Sequence, residues 1–190
     1  VVDPSKIFNH SDNEIILCNQ TYLSQAIDRL PPGIIDKKVP GIGATSCELD
    51  SPRNSIIVEP FKAVASSKAF QHRAFYVGSS TELHKSPSQK EIDQYVKNSG
   101  VKKIVVVADS FPRVVKAIGQ DTIYKEYFFA IDEIDTFQLD STYRSSLEAC
   151  IDHYFQFDQN NRCLISATLL EFSNENLANE PYFEIDYENP

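Results

Sequence analysis

Two short segments of this chain have residue types and spacing that could do chemistry on a phosphate. The first is Pro40-Gly41-Ile42-Gly43-Ala44-Thr45-Ser46. Glycines let backbone N–H groups approach an anion, and a helix beginning just after them adds its own unpaired N–H groups and dipole. The second is Asp132-Glu133-Ile134-Asp135, an acidic cluster at the C-terminal end of the most aromatic apolar run. That is the edge of an open parallel sheet where ligand-binding loops collect. Taken singly, each also has a plain structural reading: a tight turn before a short helix, and a solvated strand end.

The elements that would position these residues show in the apolar pattern. Largely apolar runs of three to five residues recur at Ile15-Leu17, Ser55-Val58, Ala74-Val77, Ile104-Val107, Tyr127-Ile131 and Cys163-Ser166. They are continuous rather than alternating, which suits strands covered on both faces, hence parallel strands joined by helical crossovers. Helices are predicted over Thr21 to Leu30, ended by Pro31-Pro32-Gly33, over Ser88 to Asn98, and over Ser141 to Phe155. The segment Ser79 to Pro87 is polar and reads as a mobile loop.

Further motifs follow the first two in a set order: Val58-Glu59-Pro60-Phe61-Lys62, Val107-Ala108-Asp109-Ser110-Phe111 and Ile165-Ser166-Ala167-Thr168. Together they resemble superfamily 2 helicases over most of the chain, from about Thr21 to Asn189. Gly41 to Ser46 resembles motif I (Walker A), Pro60 to Ala63 motif Ia, and Ala108 to Phe111 motif Ib. Asp132-Glu133-Ile134-Asp135 resembles the DExD of motif II, and Ser166-Ala167-Thr168 the SAT of motif III. The resemblance implies an α/β, RecA-like P-loop NTPase fold, a mostly parallel sheet with helices on both faces. It implies ATP and Mg²⁺ as cofactors, with Gly41, Gly43, Ala44, Thr45 and Ser46 at the phosphates. Asp132 and Thr45 would hold the metal, Glu133 would orient the attacking water, and Asp135 would tie the site to the coupling residues Ser166 and Thr168. Lys62, Ser110 and Arg113 would meet DNA or RNA phosphates.

The chain departs from that pattern where the P-loop lysine should follow Gly43, because the residue there is Ala44. Losing such a charge-assisted contact costs about 1.5 to 3 kcal/mol in binding, and a stabiliser of transition-state charge is worth about 10²- to 10³-fold in rate. Lys37 and Lys38 could swing a charge into the site, but they read more simply as a solvent-facing pair. Only Thr45 to Asn54 separate the loop from the next strand, so the helix after the loop has little room. Gln20 and Gln25 lie upstream, where some members of that family read adenine. No G-x-S-x-G elbow supports a serine hydrolase, and the glycine loop lacks the third glycine of a dinucleotide site.

The 190 residues form one domain by size: a 1–20 extension, a 21–180 core, and an 181–190 tail leading toward a second RecA-like domain. The expected function is a helicase-like nucleotide-binding domain of a larger nucleic-acid-dependent ATPase with hydrolysis weakened or lost. The other reading is a non-catalytic RecA-like module that binds nucleic acid or a protein. With 18 basic and 27 acidic residues, net charge −9, any nucleic-acid contact is local and a protein partner is favoured over bare DNA. Four scattered cysteines without zinc spacing suit a reduced cytoplasmic setting, and no apolar run reaches membrane-spanning length.

Overall fold

A computed structural model describes residues 14–18, 22–38, 40–41, 43–167 and 175–187. Its strands are β1 (Glu14–Cys18), β2 (Gly33–Asp36), β3 (Ser55–Glu59), β4 (Phe75–Val77), β5 (Lys103–Val107), β6 (Phe128–Ile131), β7 (Arg162–Ser166) and β8 (Tyr182–Tyr187). The helices are α1 (Ala44–Leu49), α2 (Lys62–His72), α3 (Gln89–Lys97), α4 (Phe111–Ile118), α5 (Gln120–Glu126), α6 (Ile134–Leu139) and α7 (Ser141–Tyr154). The strands make one sheet in the order β1-β8-β2-β7-β6-β3-β5-β4, and every ladder is parallel.

The continuous apolar runs are explained by two buried faces. Successive strand residues point to opposite sides. Ile56, Val58, Val106, Phe129 and Ile131 therefore pack with Ile92, Phe111, Val114, Ile151 and Tyr154 of α3, α4 and α7. Ile57, Val105, Phe128, Ala130 and Ile165 pack on the other face with Cys47, Leu49, Ala65 and Ala69 of α1 and α2. Two predicted helices stand nearly as expected. Ser88 caps α3 by accepting from the Glu91 N–H, and Asp140 caps α7 by accepting from the Thr142 N–H.

Three expectations differ. Over Thr21 to Leu30 the described residues hold only a 3₁₀ turn, Leu23–Gln25, although Leu23, Ile27 and Leu30 are all buried. The Leu30 N–H donates to the Glu48 carboxylate at 3.0 Å and the Ile27 carbonyl accepts from the Cys47 thiol, so tertiary partners take the backbone groups a helix would have used. The 181–190 tail contributes β8, which lies between β1 and β2 inside the sheet. Gly33 makes that insertion possible: its φ is +121°, and a Cβ there would sit 2.3 Å from the Pro181 carbonyl oxygen. The polar loop 79–87 is pinned, with Ser66 Oγ 2.6 Å from Thr81 Oγ1 and 2.7 Å from His84 Nδ1, and His84 stacked on Tyr76.

A polar cluster closes the amino edge of the sheet. Glu48, fully buried, accepts from Arg53 Nε and Nη2 at 2.7 Å each and from Ser55 Oγ at 2.7 Å. The Arg53 guanidinium lies 3.7 Å above the Phe128 ring. Lys103 Nζ donates to the Glu48 carbonyl, Ser51 and Ser55, and its burial pulls its pKa down to about 8. Cys47, Cys150 and Cys163 are free and buried, and no described helix is long and apolar enough to cross a membrane.

Candidate functional site

The carboxyl edge of the sheet gathers five ionisable side chains from four segments. Glu59 is the last residue of β3, and Asp132 directly follows β6, the strand paired with it; the Asp132 N–H donates to the Val58 carbonyl at 2.9 Å. That ladder sets the two carboxyl groups side by side. Lys68, on the second turn of α2, reaches back over the edge and donates to Glu59 Oε1 at 2.5 Å and Asp132 Oδ2 at 2.6 Å. Lys37, just past β2, donates to Glu133 Oε1 at 2.8 Å and stands 3.5 Å from Asp132 Oδ1. Glu133 holds a left-handed backbone, φ 53°, as the cap of α6, and its N–H donates to Asp132 Oδ1 at 2.9 Å.

Burial makes this cluster electrostatically consequential. Glu59 is 0% exposed, Asp132 1% and Lys37 5%. Burial works against the Asp132 charge, yet Lys68 and Lys37 outweigh it and bring its pKa down to about 2. Glu59 moves the opposite way: burial and then the neighbouring Asp132 charge hold its carboxyl well above the usual range. Burial also disfavours both ammonium groups, but Asp132 with Glu133 raises Lys37, and Asp132 with Glu59 raises Lys68.

The residues singled out by sequence fall into three groups. Asp132 and Glu133 lie in the cluster, and Asp135 accepts from Ser166 Oγ at 2.9 Å, so the acidic quartet and the end of β7 meet there; Thr168 lies outside the described residues. Gly41 and Gly43 take left-handed backbones and Gly43 caps α1, but α1 is six residues long. Ala44 is 4% exposed and packs in the apolar layer beneath the sheet, so a longer side chain there meets the core. Thr45 is buried and Ser46 half-buried; among the described residues neither hydroxyl bonds the carboxylates beside β6. Lys62 is exposed at the start of α2. Ser110 Oγ donates to Asp109, and the Arg113 guanidinium donates to the Pro87 carbonyl, which fixes the 79–87 loop against α4.

The reading of Lys37 and Lys38 as a solvent-facing pair is corrected for Lys37. It is buried in the cluster because Asp132 and Glu133 stand within reach across the end of β7, whereas Lys38 turns outward to Glu184 at 3.0 Å. Glu59 and Lys68 were missed altogether. The only sequence signal for Glu59 is an acid closing an apolar strand, as Asp132 closes its own; Lys68 carries none.

A magnesium ion, implied by the motif order, does not fit the carboxylates as this structure pairs them. Mg²⁺ takes oxygen ligands in an octahedron and is usually held through one or two carboxylates. Both oxygens of Asp132 already face lysine ammonium groups, and among the described residues no group of three His, Cys, Asp or Glu side chains is placed to hold a metal.

No protein-family model and no curated protein sequence matches the chain. Its fold does match solved structures. A DEAD box protein from the hyperthermophile Methanococcus jannaschii is 14% identical, with a TM-score of 0.53 over 81% of this chain and 45% of that one. Mss116p, solved bound to single-stranded RNA and AMP-PNP, is 15% identical, with a TM-score of 0.58 over 87% of this chain and 39% of that one. This chain thus spans less than half the length of either. At such identities the likeness is one of fold. With an all-parallel sheet, helices on both faces and these two structural counterparts, the chain has a RecA-like α/β fold.

Proposed function

We propose that this chain is a RecA-like module of a larger helicase-type protein, one that has lost nucleotide hydrolysis and works by binding. The observation that carries this is the pair of lysines on Asp132, one of which also holds Glu133. In the implied mechanism Mg²⁺ would supply charge neutralisation at the transferring phosphate and Glu133 would orient a water. Here the carboxylates that would do this are ion-paired to the chain itself. Ala44 and the six-residue α1 support the same reading, since the phosphate loop has neither its lysine nor a long helix behind it.

The partners that suit such a module are a second RecA-like domain beyond Pro190 and a nucleic acid or protein segment along the carboxyl edge. Lys62 is an exposed basic group there. Ser110 and Arg113 already have partners within the chain, and the net charge of −9 favours a protein over bare nucleic acid.

Calorimetric titration of the chain with Mg·ATP at low salt tests this directly. No binding heat is expected up to about 1 mM, the affinity left by only a few weak contacts. In the protein carrying its second domain, Glu133→Gln is expected to leave RNA- or DNA-stimulated phosphate release at the native level. Micromolar Mg·ATP binding abolished by Asp132→Asn, or phosphate release abolished by Glu133→Gln, would sink the proposal.

A further inference from the structure

Resting on the reading that this site does not work on a magnesium nucleotide, we infer that Lys68 is a built-in cation that stands in for a divalent metal between Glu59 and Asp132. The argument begins with β3 and β6. Their parallel pairing brings a strand-ending glutamate beside an aspartate, both essentially without solvent. Two buried carboxyl groups so placed need a positive charge, and Lys68 provides it with two of its three donors, at 2.5 and 2.6 Å.

The fit is incomplete in an informative way. Glu59 Oε2 is fully buried and has no hydrogen-bond partner among the described residues. One ammonium group cannot serve every oxygen of two carboxyl groups, whereas a divalent ion can bind carboxylates through one or both oxygens. The Lys68 side chain is 23% exposed, so the position its ammonium fills has a route to solvent. Lys37 approaches Asp132 through the other oxygen, Oδ1, and leaves this position to Lys68 alone.

Lys68 therefore excludes divalent cations, and removing it uncovers an oxygen site of the weak kind. Mn²⁺ is the probe, without nucleotide, followed by electron paramagnetic resonance and thermal unfolding. The native protein and Lys68→Arg, which keeps the charge, are expected to bind no Mn²⁺ at this position. Lys68→Gln is expected to bind one Mn²⁺ with a dissociation constant of about 0.1 to 1 mM. At about ten times that constant its melting temperature should rise by about 3 to 6 °C. Adding Glu59→Gln to Lys68→Gln should abolish both effects.

If Lys68→Gln is unfolded in metal-free buffer, recovery of its circular dichroism on adding Mn²⁺ is the supporting result. Absence of recovery overturns the inference, as does a folded Lys68→Gln that gains no Mn²⁺ site. Mn²⁺ bound by the native protein and lost in Asp132→Asn overturns it as well. Since no nucleotide is present, these outcomes are separate from Mg·ATP binding or turnover, which bear on the non-hydrolysing reading.

Discussion

Lys37 and Lys38 are identical side chains on adjacent residues with opposite fates. Lys37 is 5% exposed and is held by Asp132 and Glu133; the Lys38 side chain is 47% exposed and pairs with Glu184 at the surface. A buried charge that loses its partner keeps its desolvation cost, while an exposed pair gains little from Coulomb attraction in water. Lys37→Met should destabilise the domain by about 1 to 3 kcal/mol, Asp132 still having Lys68, and Lys38→Met by less than about 0.5 kcal/mol. Urea unfolding of the two variants beside the native chain checks this, and equal midpoints would show that Lys37 is not held as described. The same contrast explains why Asp132 and Glu133 have cations although Ala44 supplies none. Positive charge reaches them from the end of β2 and from α2 rather than from the loop.

At the scale of elements, the insertion of β8 beside β2 depends on one residue without a side chain. The Ile34 N–H donates to the Pro181 carbonyl at 2.7 Å, and Gly33 packs against that same carbonyl with a left-handed φ. Alanine would face both a backbone clash and an unfavourable φ, with no flexible side chain to give way. Gly33→Ala is expected to cost about 2 to 4 kcal/mol and to speed hydrogen exchange in β8 before the rest of the sheet. Uniform exchange protection in the variant would mean that β8 is secured elsewhere. Candidate anchors on the same strand pair are the Tyr182 hydroxyl, which donates to Asp36 at 2.9 Å, and the Lys38–Glu184 pair.

At the scale of the whole molecule, the two buried charge clusters among the described residues lie at opposite edges of a sheet whose faces are apolar. Ser55 opens β3 at the amino edge and Glu59 closes it at the carboxyl edge, so the Glu48–Arg53 cluster and the Lys68–Asp132 cluster are separated by the length of that strand. Glu48 is the acceptor that joins the Leu30 N–H, Arg53 and Ser55. Glu48→Ala leaves the half-buried Arg53 guanidinium with the Leu30 carbonyl but no counter-charge and takes an acceptor from the Leu30 N–H, Ser51 and Ser55, and should lower global stability by about 3 to 5 kcal/mol. Its effect should add to that of Lys37→Met within about 0.5 kcal/mol, because the sites share no partner. A double-mutant cycle by urea unfolding measures this, and a larger interaction energy would show that the two edges are coupled through the sheet.

Several layers of this arrangement are legible without a structure. Unbroken Val, Ile and aromatic runs suffice for buried parallel strands, because only a sheet covered on both faces keeps every position from water. The order of the glycine loop, the acidic quartet and Ser166-Ala167 is enough for the fold. Short strands were hidden for a physical reason: four residues opening on the glycine of Pro31-Pro32-Gly33, or a run carrying the two acids Glu184 and Asp186, become strands only when neighbours complete their hydrogen bonds. The site's ion pairs were hidden more deeply. Glu59 and Lys68 are separated from Asp132 by 73 and 64 positions, and Lys37 from Glu133 by 96, so no local pattern records them. Which lysine is buried, and in which direction each carboxyl group's pKa moves, is decided by the register of β3 on β6 and the reach of α2 over the sheet edge, since desolvation and close opposite charge exist only once those elements have packed.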